Sequence, residues 1–399
     1  MIPDIDRQIG VDSYYTDGMG CGGSIKSRPD DFVVSEIISD TATKSIREKG
    51  EYAVYSLLKR DIDTAHCISD VYRRCRVRLK ALGLKDSKAH TTQYVCATSK
   101  SADVTSLHTD RYDLELLGYT KRPMTKKAMI ANHFVIRIAG MQSPPDKFAN
   151  YDHTPNHYGY QRFGSRRPFT HLIGKAILHG DYVHAIHLIL YEESAYDTPQ
   201  ATTTRRRITD ATTHDERLSI MPKSMDIERT VIKSLHKNDN NHKAAIASLP
   251  LYLRRLYVQA YQSYIFNLTL SRAISEGYDV QNKVSGDVCF DAHDILGKYD
   301  EYSEQRLAIP MVGYAYYKKT RFHTVISDIM SSEGITTRDF YIKPMQELSL
   351  EGGFRQATMS CSDYAINGAQ VSFTLSRGSF ATMILREIIK PADPIRAGF

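Results

Sequence analysis

The stretch from Gly83 to Gln93 reads GLKDSKAHTTQ and is the most informative part of the chain. It places one carboxylate, Asp86, in a turn beside Lys85, with Lys88 and His90 close by. A lone acid framed by cations is suited to be a reactive carboxylate that faces an anionic substrate. Taken by itself, however, the segment fits a solvated turn between a helix and a strand better, because Lys-Asp neighbours are routine there.

Length and composition bound the class of protein. A chain of 399 residues suggests two or three domains. The apolar share of 42% and the charged share of 25% are typical of soluble globular proteins. No apolar run approaches the length that crosses a bilayer, and the first ten residues, MIPDIDRQIG, contain no signal-peptide core. We therefore expect a cytoplasmic protein.

The spacing of cysteine, histidine and glycine does not predict a metal or a nucleotide cofactor. The six cysteines are scattered without a CxxC pair, which fits a reducing compartment. His153 and His157 lie four residues apart, but Pro155 between them argues against the helix that would align them. The glycine-rich run that ends at Gly23 has no strand before it and no helix pattern after it, as a dinucleotide loop requires.

The distribution of positive charge is more informative than the modest net charge of +6. Basic residues form five clusters: Arg73, Arg74, Arg76, Arg78 and Lys80; Lys121, Arg122, Lys126 and Lys127; Arg162, Arg166 and Arg167; Arg205 to Arg207; Lys318 and Lys319. Tyrosine and phenylalanine lie among several of them, and RNA-binding grooves combine cations for phosphates with rings for bases. Any single cluster fits ordinary solvated charge, but five favour a polyanionic partner.

Hydrophobic periodicity predicts a strand-rich first part and a more helical middle. Strands are predicted at Asp31–Ile38, Glu51–Leu58, Tyr94–Ala97, Tyr112–Tyr119, Phe134–Ala139 and Val371–Leu375. Helices are predicted at His66–Leu82, ended by Gly83, at His171–His179 and at Leu249–Ile274, whereas 197–216 is predicted to be a loop. Phe380–Ile389 fits a helix or a strand, and the composition changes near Asp152.

Six segments, in order along the chain, resemble the TruD family of tRNA pseudouridine synthases, with most likeness to archaeal members. GLKDSKAHTTQ is similar to the family's catalytic motif. The others are Lys26–Glu36, with Asp30 where glutamate is more usual; Asn132-His133-Phe134; Pro155–Gly164; Ala260–Asn267; and Leu375–Thr382, with Ser376 and Arg377 where leucine-proline is common. Each match alone is weak, but the ordered set is specific.

The resemblance implies an α+β fold: a catalytic domain with a curved mixed sheet and flanking helices, into which a second α+β domain, the TRUD domain, is inserted. Mapped onto this chain, the catalytic domain takes residues 1–157 and 356–399, and the inserted domain takes residues 158–355. This division agrees with the change of composition near Asp152.

The implied activity is the isomerisation of uridine to pseudouridine in tRNA, at position 13 in this family. It needs no redox cofactor, no nucleotide cofactor and no metal. The resemblance makes Asp86 the essential carboxylate, which either attacks the sugar or abstracts a sugar proton. Both roles need an ionised carboxylate, and a free aspartate with a pKa of about 3.9 is ionised at neutral pH.

The resemblance also assigns residues that bind the substrate. Lys26 is the expected cation beside Asp86, and Lys85 is expected to contact phosphate or a packing partner. Phe134 is expected to stack on the flipped base rather than serve only as core. Asn132 either orients the loop or bonds the base edge, and Arg162 and Gln161 either shape a cleft between domains or are structural.

Two further functions stay open from the sequence. One is a pseudouridine synthase that acts on RNAs other than tRNA, and the other is a non-catalytic RNA-binding protein on the same scaffold. Asp86 favours an enzyme, because a protein that only binds RNA has no need of it. A protein-interaction domain does not explain the ordered motifs. We expect a monomer without a membrane segment.

Overall fold

The computed structural model describes residues 1–83, 85, 89–100, 104–145 and 151–399. The helices in this part of the chain are α1 (Asp4–Gln8), α2 (Asp40–Ser45), α3 (Thr64–Cys75), α4 (Thr170–Leu178), α5 (Tyr182–Leu190), α6 (Pro199–Asp210), α7 (His214–Ile220), α8 (Asp226–Lys237), α9 (His242–Ala247), α10 (Leu251–Ser275), α11 (His323–Ser332) and α12 (Ala381–Ile389). No helix among these residues is long and apolar enough to cross a membrane.

Several strands alternate buried and more accessible residues, as expected of a strand covered on one face. The strands are β1 (Phe32–Ile38), β2 (Tyr52–Arg60), β3 (Leu79–Ala81), β4 (His90–Ala97), β5 (Ser106–His108), β6 (Tyr112–Thr120), β7 (Met129–Arg137), β8 (Val288–Asp291), β9 (Leu296–Lys298), β10 (Gln305–Met311), β11 (Gly353–Gln356), β12 (Cys361–Asn367) and β13 (Gln370–Ser376).

The chain divides into two compact units. The sheet unit contains residues 16–154, 359–391 and 397–399, and the helical unit contains residues 1–15, 155–358 and 392–396. The first 15 residues therefore lie with the middle of the chain, whereas we expected them with residues 16–157. The naming of these parts as a catalytic and an inserted domain stays a prediction.

The sheet unit is built on one mixed sheet. Among the described residues its strands run in the order β12-β13-β7-β1-β4-β2-β6-β5, and β3 pairs with β4 outside this path. The β1–β4 pairing is parallel and the other pairings are antiparallel. Helix α3 packs Cys67 and Val71 onto Tyr55, Leu57 and Val95 of the sheet, so one face of β2 and β4 forms a core under this helix.

The helical unit is organised around α10, the long helix predicted over Leu249–Ile274. Gly174 of α4 lies so close to this helix that an added Cβ atom would be 2.0 Å from the carbonyl oxygen of Tyr257, so only glycine allows this approach. A four-stranded antiparallel sheet in the order β11-β10-β8-β9 is described in the same unit.

Two of the predicted elements are wrong. The predicted helix His66–Leu82 ends at Cys75, because Arg76 adopts a left-handed conformation with a φ of 60°, and strand β3 follows. The predicted loop 197–216 contains α6, which Thr198 caps by accepting a hydrogen bond from the Ala201 backbone N–H. The sequence of Phe380–Ile389 fitted a helix or a strand, and the structure shows helix α12 there.

Asn267, the last residue of the motif Ala260–Asn267, ties three segments of the helical unit together. Its side-chain nitrogen donates to the carbonyl oxygens of Ile9 (2.8 Å) and Tyr158 (3.1 Å), and its side-chain oxygen accepts from the Tyr158 backbone N–H (2.8 Å). The residue is 0% exposed. These bonds hold the N-terminal segment at Ile9 and join the motif Pro155–Gly164 to the motif Ala260–Asn267.

We predict that Asn267→Leu lowers the free energy of unfolding by at least about 3 kcal/mol, because three buried backbone groups lose their partner. Urea unfolding of the full chain, followed by circular dichroism, measures the change. Thr269→Val is the matched control: Thr269 is buried on the same helix, but its hydroxyl bonds only the Ile265 carbonyl within that helix. Equal losses for the two variants would contradict the role of Asn267.

Candidate functional site

The candidate site begins with a carboxylate in the buried register of a strand. Along β1 the buried positions are Phe32, Val34, Glu36 and Ile38. Glu36 lies directly opposite Asn132 of β7. Directly opposed residues of an antiparallel pair point to the same face of the sheet, so an acid and an amide share one buried patch.

Lys85, from the segment Gly83–Gln93, fills this patch with a positive charge. Its Nζ atom lies 2.9 Å from Oε1 of Glu36 and donates to Oδ1 of Asn132 at 2.5 Å. The side chains of Lys85 and Glu36 are 7% and 0% exposed. The second oxygen of Glu36 accepts the backbone N–H of Tyr94 at 2.8 Å. Of the two contacts expected for Lys85, the structure shows the packing partner, and its ammonium is not directed at solvent.

The backbone on both sides of Leu84 is held by two further polar side chains. Gln93 donates to the carbonyl oxygen of Gly83 (3.3 Å), and the Lys85 backbone N–H donates to the hydroxyl of Thr64 (3.3 Å). The Thr64 hydroxyl in turn donates to Gln93 (3.0 Å). The glutamine that ends the motif therefore closes back onto the glycine that begins it, ten residues earlier.

Gly83 lies against the same ion pair. A Cβ atom at this position would lie 2.9 Å from Oε1 of Glu36 and 3.2 Å from Nζ of Lys85. A side chain would push on the ion pair, so the motif begins with glycine for a steric reason.

Aromatic rings lie beside this patch on the neighbouring strands. Phe134 packs edge-on against Phe32 (6.2 Å between ring centres) and lies 5.5 Å from Phe373, its partner across the β7–β13 pairing. Phe134 is 8% exposed. The ammonium of Lys26 lies 4.6 Å from the centre of the Phe32 ring. Lys26 and Phe134 are thus neighbours of one ring within the sheet unit.

Arg162 and Gln161 belong to the helical unit. They lie in a short 3₁₀ turn, Tyr160–Arg162, and both are half-buried. The guanidinium of Arg162 lies 5.2 Å from the ring centre of Tyr158, and that of Arg355 lies 4.0 Å from the same ring. Burial lowers the pKa of both guanidinium groups. Sequence reasoning did not find Arg355, which lies outside the matched motifs.

Asp86, the expected catalytic carboxylate, lies outside the described residues, as do Leu84, Ser87 and Lys88. His90, just after this segment, has its Nδ1 atom 3.2 Å from Oδ1 of Asp30. In the described part of the chain, no group of three or more His, Cys, Asp or Glu side chains is placed to hold a metal ion.

Sequence reasoning also missed two buried charged residues, although the sequence carried a signal for both. Glu36 and Lys59 each continue the apolar alternation of a strand, after Val34 on β1 and after Leu57 on β2, and both are buried. Lys59 is 0% exposed and lies opposite Thr91 of β4. A charge in the inward register of a strand indicates a polar site within the core.

Comparisons with known proteins agree on one family. A family model described as tRNA pseudouridine synthase D (TruD) matches residues 8–388. The chain is 32% identical over 422 residues to a probable tRNA pseudouridine synthase D of Pyrobaculum islandicum, covering 100% of this chain and 99% of that protein. It is also 32% identical over 395 residues to a probable tRNA pseudouridine synthase D of Thermoplasma volcanium, covering 91% and 93%.

A solved structure is similar over the whole length. The crystal structure of a putative tRNA pseudouridine synthase D (TruD) from Methanosarcina mazei has a TM-score of 0.77, with 27% identity and 99% of each chain covered. The predicted family resemblance and the predicted α+β fold with a mixed sheet are confirmed.

We predict that Glu36→Gln lowers the free energy of unfolding by roughly 3–5 kcal/mol, because the buried ammonium of Lys85 loses its counter-charge. Adding Lys85→Met to this variant removes the unpaired charge, and most of the stability should return. Urea unfolding of the single and double variants measures both effects.

The control is an exposed ion pair of the same unit. Lys100 and Glu51 lie 3.0 Å apart with side chains 66% and 50% exposed. Glu51→Gln should cost less than about 1 kcal/mol. A loss at Glu36 no larger than the loss at Glu51 would show that the buried pair does not hold this segment.

Proposed function

Because the chain belongs to the TruD family of tRNA pseudouridine synthases, we propose that it isomerises uridine to pseudouridine in tRNA. One observation supports this most strongly: Lys85 of the family's catalytic motif is locked onto Glu36 and Asn132, two residues of other family motifs. The motifs that are separate in sequence are thus joined by the geometry of one buried patch.

The proposed reaction conserves the atoms of the nucleotide. The bond between N1 and C1′ breaks, the uracil turns, and C5 bonds to C1′. The proton on C5 is released to solvent, and N1 gains a proton. This balance requires neither an oxidant nor a group carrier, so the expectation of no cofactor is consistent with the chemistry.

We assign the reacting carboxylate to Asp86, which either attacks C1′ or removes a sugar proton. Lys85, its neighbour in sequence, is bound to Glu36 and Asn132. The Glu36–Lys85 pair is therefore assigned to anchor the chain at the residue that precedes the catalytic carboxylate.

Lys26 and Phe134 are assigned to the target nucleotide. Their shared neighbour Phe32 supports a common location for the cation and the ring. Because Phe134 is only 8% exposed, a base that stacks on it needs more of the ring face to be uncovered when RNA binds. Stacking of this kind contributes about 1–3 kcal/mol per base.

Of the two roles open for Asn132, we favour orientation of the loop. Its carbonyl oxygen accepts from Lys85 at 2.5 Å, so the acceptor half of the amide is engaged within the protein. Arg162 and Gln161 are proposed to contact RNA from the helical unit. Modification at position 13 and a monomeric state stay predictions, since no residue described above reads a position in tRNA.

We predict that Asp86→Ala abolishes pseudouridine formation while tRNA affinity stays within about twofold of the unsubstituted protein. The reason is that the carboxylate is assigned to chemistry and not to phosphate binding. Conversion of an unmodified tRNA transcript and filter binding measure the two properties. Asp40→Asn, at an exposed acid of α2, is the control and should retain full activity. An Asp86→Ala protein that converts uridine at the normal rate would refute the assignment.

We predict that Lys26→Met shifts the acid limb of the kcat–pH profile to higher pH. A nearby cation favours the ionised carboxylate, so its loss raises the pKa of the reacting acid, and activity is then lost at a higher pH as the solution is acidified. Lys26→Arg retains the positive charge, so the acid limb should stay at the pH found for the unsubstituted protein. If both variants lose rate equally at every pH, the role of Lys26 as the cation of the carboxylate is wrong.

A further inference from the structure

A groove beside helix α3 includes Gly83, the first residue of the catalytic motif, in its lining. It has a volume of about 660 Å³, which lies within the roughly 300–1,000 Å³ typical of small-ligand sites. Its lining includes Ile68 and Tyr72 of α3, Arg78 just before β3, Lys80 within β3, Lys126 and Gly83. We call this the α3 groove.

The α3 groove brings two of the basic clusters together. Arg78 and Lys80 come from the first cluster and Lys126 from the second, and all three side chains are exposed. Within the ranges that the structure describes, no carboxylate pairs with any of the three. Among the described residues, these three charges therefore have no acidic partner.

Tyr72 gives the α3 groove an aromatic surface. Its ring is half-buried, and the guanidinium groups of Arg78 and Arg76 lie 5.4 Å and 5.9 Å from its centre. A hydrogen bond with Arg78 lowers the pKa of the Tyr72 hydroxyl. An aromatic ring flanked by guanidinium planes is a surface on which any base can stack.

Arg377 adds positive charge at the same place. Its guanidinium donates to the carbonyl oxygen of Lys126 at 3.0 Å, and its side chain is exposed. The arginine both holds the turn that carries Lys126 and increases the charge beside the groove.

A second cavity on α3 provides the contrast. It has a volume of about 690 Å³ and is lined by four carboxylates: Asp61, Asp63, Asp70 and Asp110. Asp70 binds Arg73 (3.0 Å) and Arg74 (2.7 Å), and hydrogen bonds from Tyr112 and Arg74 lower the pKa of Asp70. Arg73 and Arg74 are thus already paired with an ionised acid, and the four carboxylates of this cavity do not favour a polyanion.

We propose that the α3 groove binds the RNA nucleotide that flanks the target uridine. Arg78, Lys80 and Lys126 contact its phosphates, and its base stacks on Tyr72. Gly83, which lies three residues before Asp86 in the sequence, is part of the lining, so an RNA strand in the groove lies against the first residue of the catalytic motif. A site of this kind holds the unpaired strand while the target base is out of the stack. This inference rests on the proposed function.

The test compares RNA binding by the full chain across a series of salt concentrations. The double variant Arg78→Gln, Lys80→Gln loses two phosphate contacts, so the slope of log K against log[salt] should become shallower by about 1.4, at about 0.7 per phosphate of a single strand. Its KM for the tRNA transcript should rise about tenfold or more while kcat stays within about twofold.

Tyr72→Leu separates stacking from charge. It should weaken binding about tenfold without changing the salt slope, because no charge is lost. Arg73→Gln is the matched control, an exposed arginine of the same helix whose charge is already paired with Asp70. It should change neither affinity nor slope. If the Arg78→Gln, Lys80→Gln protein does not fold, the single variant Lys126→Gln, which lies on an exposed turn, is tested in its place.

Two results would overturn the inference. One is a double variant of Arg78 and Lys80 whose salt slope and KM are unchanged. The other is an Arg73→Gln variant that loses as much RNA affinity as the groove variants, which would indicate general attraction between positive charge and RNA. Failure of the proposed function is distinguishable, since it appears as an unsubstituted protein that converts no uridine. The binding slopes then still test whether the groove holds RNA.

Discussion

The buried ion pair between Glu36 and Lys85 is the interaction on which the site depends. Removing two charges from water is costly, and the pair persists because Asn132 and the Tyr94 backbone N–H satisfy further hydrogen bonds. These contacts join strands β1, β4 and β7 to the segment Gly83–Gln93. The chain is thereby anchored at Lys85, the residue before the carboxylate that we propose as the reacting group.

The fold was predictable where periodicity and burial coincide. The helix predicted at Leu249–Ile274 is α10, whose apolar positions at helical spacing, such as Leu253, Tyr257 and Ala260, are buried. The prediction failed at Val77, Leu79 and Ala81, whose alternate burial marks a strand. Helical spacing from Ile68 onward hid this alternation, and the left-handed conformation of Arg76 that separates the two elements has no glycine to signal it.

The candidate site was predictable from motifs more than from physical patterns. The resemblance located Lys26, Asn132 and Phe134, which the structure places in one unit. It did not give the partner of Lys85, because a contact between residues 36 and 85 depends on the register of β1 with β7 and β4. The α3 groove was only partly predictable. The basic clusters were found in the sequence, but the fold is what places Lys126 and Arg78 in the lining of one groove.

The polar patch around Glu36 and Lys85, the ring of Phe134 and the cationic groove together suit an enzyme that acts on one base of an RNA strand. Incubating the purified protein with an unmodified tRNA transcript tritiated at C5 of uridine tests this activity. Formation of the C5–C1′ bond releases that hydrogen. We predict tritium release that reaches about one equivalent per tRNA, with one new pseudouridine. A folded protein that binds the transcript and releases no tritium would contradict this prediction.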